Sequence, residues 1–208
     1  VPPAISSRSV SFPHPAQVEQ GLQPVSGETM IELKNLVKTF GGFTAVDGIS
    51  LSVDRGRFFG FLGPNGAGKT TTIKMMTGLY APTSGVCLVN GFDIQADPIP
   101  AKRSFGYVPD QPFLYDKLTG REFLAFMGVL HGMRPDDAAR KIQELRDMFE
   151  IGPFIDKRAE EYSQGMRQRI VLSAALMHSP AVLIIDEPIV GLDPRSARLV
   201  KDTLKAKT

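Results

Sequence analysis

Residues 63–71 read GPNGAGKTT, matching G-x-x-x-x-G-K-[ST] at every position, and directly follow the apolar run FFGFL at 58–62, which reads as a strand. The chemistry this pattern permits is phosphate binding. Glycines let the backbone curl until successive N–H groups point at one anion, and a helix opening at Lys69 adds the positive end of its dipole. Lys69 carries the charge to reach the β- and γ-phosphates of a nucleotide, and the Thr70 hydroxyl is a hard oxygen ligand suited to Mg²⁺. The candidate nucleotide-binding residues are Gly63, Pro64, Asn65, Gly66, Ala67, Gly68, Lys69, Thr70 and Thr71. A chance match in a chain this long is on the order of one per cent, so a Gly-rich turn of no consequence is the weaker reading.

Residues 182–188, VLIIDEP, form a short apolar run that ends in two adjacent carboxylates. A parallel strand buried on both faces needs only apolar side chains, so acids at its C-terminal end call for a reason. In open α/β sheets that end is where ligands sit. Asp186 is expected to hold Mg²⁺ directly or through water, and Glu187 to orient and polarise an attacking water as general base. The competing reading is a pair that merely caps the strand in solvent; beside the phosphate loop it loses most of its weight.

Residues 162–170 read YSQGMRQRI. Here the chain resembles the ATP-binding subunit of ABC transporters, whose signature loop LSGGQ precedes a basic, Gln-containing helix start. Ser163 and Gly165 match that loop, whereas Gln164 and Met166 replace its second Gly and its final Gln, departures familiar in the exporter-like, ABC-2-type branch. Ser163 can serve as helix N-cap. The resemblance implies that Ser163, Gln164, Gly165 and Met166 face the γ-phosphate of ATP bound on a second ATP-binding subunit. It further implies that Phe40 stacks on adenine and that Val46 packs near the ribose. Gly191, Leu192, Asp193 and Pro194 resemble the loop that joins the two ATP sites; Asp193 with Pro194 also reads as an N-cap and first helical position. The family carries a Mg²⁺- and water-sensing Gln in the segment matching 106–113, GYVPDQPF. Alignment on the Pro puts Asp110 at that position; a one-residue bulge would bring Gln111 inward, and Gln111 is favoured by a small margin. The exposed apolar run Phe113, Leu114, Tyr115 is either where a transmembrane permease subunit docks or packing between subdomains.

The elements that must position these groups follow from periodicity. Residues from about 30 to 104 alternate strands and turns around the phosphate loop, and about 111–164 is helical. Thr119 and Glu122 form a capping box for a helix through Leu130. Pro135 opens another, with Ala138, Ile142, Leu145 and Phe149 on one face. A helix, a stop at Pro180 and a strand then lead to Asp186. The fold class expected is α/β: a P-loop NTPase (RecA-like) core with an inserted helical subdomain, of the ABC ATPase type and C-terminally truncated, since the family's next strand, with its γ-phosphate His, has no counterpart before Thr208. Such a chain is expected to be poorly stable and nearly inactive alone. The domain reading is a disordered Pro/Ser/Gln-rich tail at 1–29 and an ATP-binding domain at 30–208; Met30 resembles the natural start of such a subunit.

Composition agrees. With 208 residues, 42% of them hydrophobic, the chain can bury one substantial core. Its 24 basic and 22 acidic residues leave a net charge of +2, which is no electrostatic footprint for nucleic acid. The lone Cys87 reads as a small buried hydrophobe. His131 and His178 lie near helix ends, where a cation is favourable. No apolar run reaches the roughly 18 residues a membrane helix needs; if the chain is a transporter component, as the resemblance implies, the pore is expected in another chain and this one peripherally on the cytoplasmic face. A chromosome or repair ATPase needs long heptad helices between phosphate loop and signature, and none is present. The remaining alternatives are an ATP-dependent regulatory switch and another non-transport ABC ATPase; intact Glu187 argues for turnover.

Overall fold

The structure, a computed structural model, describes residues 28–111 and 113–186. Glu187 and Asp193 lie outside the described residues, as do Pro112 and residues 1–27 of the expected 1–29 tail; the last two residues of that tail, Glu28 and Thr29, are described, and Thr29 already belongs to a strand.

A four-stranded antiparallel sheet is ordered β2-β1-β3-β4. Strand β1 (Thr29–Phe40) turns into β2 (Phe43–Asp54) through Gly41 and Gly42, both at positive φ, the backbone that a two-residue hairpin with matched twist requires. Strand β3 (Ser84–Val89) pairs with β1 and with the short β4 (Phe92–Asp93). Helix α1 (Lys69–Met76) places Ile73, Met75 and Met76 against Leu33, Leu36 and Val89 of this sheet. Cys87 is buried in β3, and burial, aided by Asp93, pushes its thiol up to about 12. It is an inert core residue, as its place in the sequence predicts.

Helix α2 (Pro98–Ser104) leads into β5 (Phe105–Val108), which pairs in parallel with β6 (Val182–Ile185). Alternation divides this pair between two cores. Phe105, Val182 and Ile184 pack with the sheet and α1, whereas Val108, Leu183 and Ile185 pack with the helices. Both faces are covered, which is why VLII carries no polar residue.

The run 58–62 is not a strand, contrary to the expectation. Among the described residues no backbone pairs with it, and Phe58 and Leu62 are 63% and 97% exposed. Apolar composition favours a strand only where a neighbour's N–H and C=O groups complete the ladder.

The helical part follows its local signals closely. Helix α3 (Gly120–Leu130) starts on the expected capping box, with Thr119 accepting from the Glu122 N–H and the Glu122 carboxylate accepting from the Thr119 N–H at 2.8 Å. Helix α4 (Pro135–Met148) buries Ala138, Ile142 and Leu145, with Phe149 at its C-cap. Helix α5 (Gln164–Ala175) is buried on nearly every side from Ile170 onward and ends five residues before Pro180. Among the described residues no helix is long and apolar enough to cross a membrane.

The two histidines correct a second expectation. His131 caps α3 and His178 follows α5, but their rings stack face to face at 3.7 Å and 4°. Burial lowers both pKa values, that of His178 to about 4 with the stacked His131 contributing, and Arg103 adds to the effect on His131. Both are neutral at pH 7, so the ring stack and the 3.1 Å hydrogen bond between His178 Nε2 and Phe105 O hold them, not a helix-end charge.

Candidate nucleotide site

The phosphate loop wraps over the start of α1. Gly68, its N-cap, has φ +81, and a Cβ there would lie 2.5 Å from the Ala45 carbonyl oxygen and 3.2 Å from Val46 Cγ2. Only glycine allows strand β2 to support the loop this closely. Val46 is buried beneath Gly68, so it holds the loop from below. Thr72 Oγ1 donates to Gly68 O at 2.9 Å, and Lys69 Nζ donates to Gly63 O at 2.8 Å and Pro64 O at 2.9 Å. The ammonium thus sits inside the loop's curve, where phosphate oxygens would compete with these carbonyls.

Asp186 is 2% exposed and follows β6, with its N–H donating to Val108 O at 2.9 Å. Its Oδ1 accepts from Thr70 Oγ1 at 3.3 Å, joining residues 116 apart in sequence. Tyr107 of β5 stands beside them; burial raises its pKa first, then the charges of Asp186 and Asp110.

Phe40 ends β1 as a half-exposed ring, meeting Tyr80 edge-on at 5.4 Å with Lys38 Nζ 4.8 Å over its face. Lys74 lies 5.6 Å over Tyr80. Ser163 caps α5, accepting from the Met166 N–H at 3.3 Å. Ser163 and Gln164 are exposed, Gly165 is buried and Met166 packs partly against the helical core. Among the described residues, no hydrogen bond or ion pair connects residues 63–71 with residues 163–167.

Residues 46–190 match the family model described as "ABC transporter". This chain is an ABC transporter ATP-binding domain. It is 42% identical over 172 residues to the probable multidrug ABC transporter ATP-binding protein YbhF of Escherichia coli, covering 83% of this chain and 30% of that protein. It is 41% identical over 176 residues to the linearmycin resistance ATP-binding protein LnrL of Bacillus subtilis, covering 85% and 57%. The chain therefore spans about a third to somewhat over half the length of these relatives. A solved ATP-binding subunit of an ABC transporter superposes with a TM-score of 0.79 at 31% identity, covering 86% of this chain and 75% of that one.

Other parts of this ABC domain fall as follows. Gln111 is exposed and makes no hydrogen bond to Thr70 or Asp186; Asp110 is also exposed, and its charge adds to that of Asp186 in raising the Tyr107 pKa. The run 113–115 splits by register. Leu114 is buried in the helical core, while Phe113 is 70% exposed and stacks edge-on with Tyr115, which in turn meets Phe126 at 6.0 Å. Leu114 is thus structural, and the outward surface is aromatic. Beside it a groove of about 420 Å³ runs between the two cores, lined by Leu79, Lys102, Tyr107, Phe113, Met127 and His131 among others. The contacts of Tyr80 with Phe40 carried no sequence signal, since a turn after α1 shows no period; Lys38 could have been found, because residues two apart on a strand share a face.

Proposed function

We propose that this chain is the ATP-binding and ATP-hydrolysing part of a membrane transporter, working in export. The observation that carries the reading is the Thr70–Asp186 hydrogen bond, which joins the phosphate loop to the strand-end carboxylate. A hydroxyl and a carboxylate are both hard oxygen donors, so Thr70 and Asp186 fit Mg²⁺, with Gln111 as the proposed third polar contact and Asp110 its rival. When bound, Mg²⁺ neutralises charge on the β- and γ-phosphates.

The chain's own groups then act in order. The loop amides of residues 63–71 and Lys69 hold the phosphates; Phe40 offers a face to adenine; Glu187 orients and deprotonates the attacking water. Ser163 and its neighbours, separate from the loop within one chain, grip the γ-phosphate across a head-to-tail pair, with Asp193 at the contact between the two sites. Closure over ATP and reopening after hydrolysis drive a transmembrane partner that docks against Phe113 and Tyr115. Export is supported by the names of the relatives, one a probable multidrug transporter protein and one a resistance protein.

Two substitutions in the full-length protein test this. Lys69→Ala is expected to abolish tight ATP binding. Glu187→Gln is expected to keep binding, lose turnover and accumulate a closed dimer. Steady-state hydrolysis by Glu187→Gln at the parental rate would refute the assignment of the base, and ATP binding without turnover by the parent would make the protein a switch.

A further inference from the structure

Tyr162 immediately precedes the signature serine, and its side chain is buried. Its hydroxyl accepts from the Gly120 N–H at 2.9 Å and lies 3.0 Å from both Phe154 O and Lys157 O. Burial raises its pKa, so the group stays a neutral hydroxyl able to accept from Gly120 while donating to one of these carbonyls. The ring packs edge-on to Phe154 at 5.4 Å, and Arg169 of α5 lies 4.9 Å over the Phe154 ring.

The Gly120 N–H is one of the donors that a helix start leaves without an intrahelical partner. At α3 each such donor is accounted for. Thr119 uses Glu122 Oε2 at 2.8 Å, Gly120 uses Tyr162 Oη, Arg121 uses Ile155 O at 3.0 Å, and Glu122 uses Thr119 Oγ1 at 3.2 Å. One of these four caps therefore comes from the residue next to Ser163. Space is also committed, because a Cβ on Gly120 would fall 2.6 Å from Tyr162 Oη and 2.7 Å from Ile170 Cδ1. The start of α3, the 154–157 segment and the start of α5 meet at a single oxygen. Residues 110–118, which carry the sensing segment and the exposed aromatics, run directly into that α3 start.

We propose that Tyr162 is a positioning residue: its hydroxyl ties the N-terminus of α3 to the signature loop and so sets where Ser163 stands. It touches no nucleotide. Displacement of α3 by a docked partner would reach Ser163 through this contact, which makes the strength of γ-phosphate gripping dependent on the docking surface. The inference rests on the reading of residues 163–166 as the loop that engages ATP on a second subunit.

The test uses the full-length protein. A misplacement near 1 Å remote from the chemistry costs on the order of a hundredfold in rate, so Tyr162→Phe, which keeps the ring, is expected to lower kcat for ATP by about tenfold or more with KM unchanged. In a Glu187→Gln background, the same change is expected to reduce the ATP-closed dimer while monomer affinity for a fluorescent ATP analogue stays put. If Tyr162→Phe does not fold, Gly120→Ala approaches the same hydroxyl from the other side and is expected to give the same split. Lower thermal stability with kcat and dimer formation per folded molecule unchanged would overturn the inference. Failure of Glu187→Gln alone to dimerise with ATP would overturn the underlying reading of the signature, and this inference with it.

Discussion

Gly68 and Gly66 allow strain and collision in the phosphate loop to be separated. Both have positive φ, +81 and +82, but a Cβ on Gly66 meets nothing within 4 Å, whereas one on Gly68 meets the Ala45 carbonyl at 2.5 Å. An alanine in the left-handed region costs roughly 1–2 kcal/mol, and both Gly66→Ala and Gly68→Ala carry that term. Gly68→Ala must in addition open the loop from β2 by about 0.9 Å to reach the ordinary contact distance of 3.4 Å. A shift of that size re-aims the N–H groups ahead of α1, and each hydrogen bond to a charged group so lost is worth about 1.5–3 kcal/mol, or roughly ten- to a hundredfold in affinity. Gly66→Ala is therefore expected to lose about 1–2 kcal/mol of stability with a modest change in ATP affinity. Gly68→Ala is expected to lose ATP affinity by about ten- to a hundredfold. Titration of the full-length variants with a fluorescent ATP analogue, beside thermal unfolding, reads both. Equal ATP affinities for the two variants would refute the claim that contact with β2 shapes the loop.

Two further predictions follow from the histidine stack and from the aromatic surface. Folded His178 holds its pKa at about 4 against 6.5 unfolded, and His131 is lowered as well, so the folded state binds fewer protons; its stability is complete above pH 6.5 and falls as pH drops from there toward 4. With allowance for the rings' exposed edges the loss is about 2 kcal/mol, and thermal unfolding across this window should show it in the parent and not in a His131→Phe, His178→Phe double variant; identical slopes would refute the neutral stack. Phe113→Ala with Tyr115→Ala is expected to abolish co-purification with a membrane partner while ATP binding by the full-length protein stays intact, and retained co-purification would remove this surface from the docking proposal.

What the sequence made legible was local. The α3 start was readable from Thr119 and Glu122 because a capping box is completed within four residues, and the α4 face because Ala138, Ile142 and Leu145 share one side of a helix. Ser163 as N-cap follows the same logic. Partners distant in the chain were not readable. Nothing within 58–62 reveals whether a neighbouring strand exists, so its apolar run looks the same paired or exposed. The stack of His131 on His178 depends on how α3 meets the turn after α5, and a helix-end charge rule sees only each helix alone. For the site, the two motifs containing Thr70 and Asp186 were legible separately, but only the fold shows that they touch. Leu114 was grouped with Phe113 and Tyr115 because composition does not record which of three adjacent apolar residues turns inward.

Helix α5 connects both halves of the proposed chemistry. Its N-terminus presents Ser163 outward, while its last residue, Ala175, packs onto β5 so tightly that a Cβ on Gly106 would stand 2.2 Å from the Ala175 carbonyl oxygen. Strand β5 in turn supplies the Val108 carbonyl that fixes the Asp186 N–H. Twelve residues of helix span about 18 Å. A rod of that length, buried from Ile170 onward, cannot shift at one end without moving the strand pair at the other, because close-packed interiors transmit displacement instead of absorbing it. Under the proposed function, Ser163, which would meet ATP on a second subunit, and Asp186, which would hold Mg²⁺ in its own, are therefore mechanically linked through one helix. In such a pair, engagement of Ser163 would be felt through β5 at Asp186, so the two ATP sites of a closed pair are expected to respond to each other even without direct contact between their nucleotides.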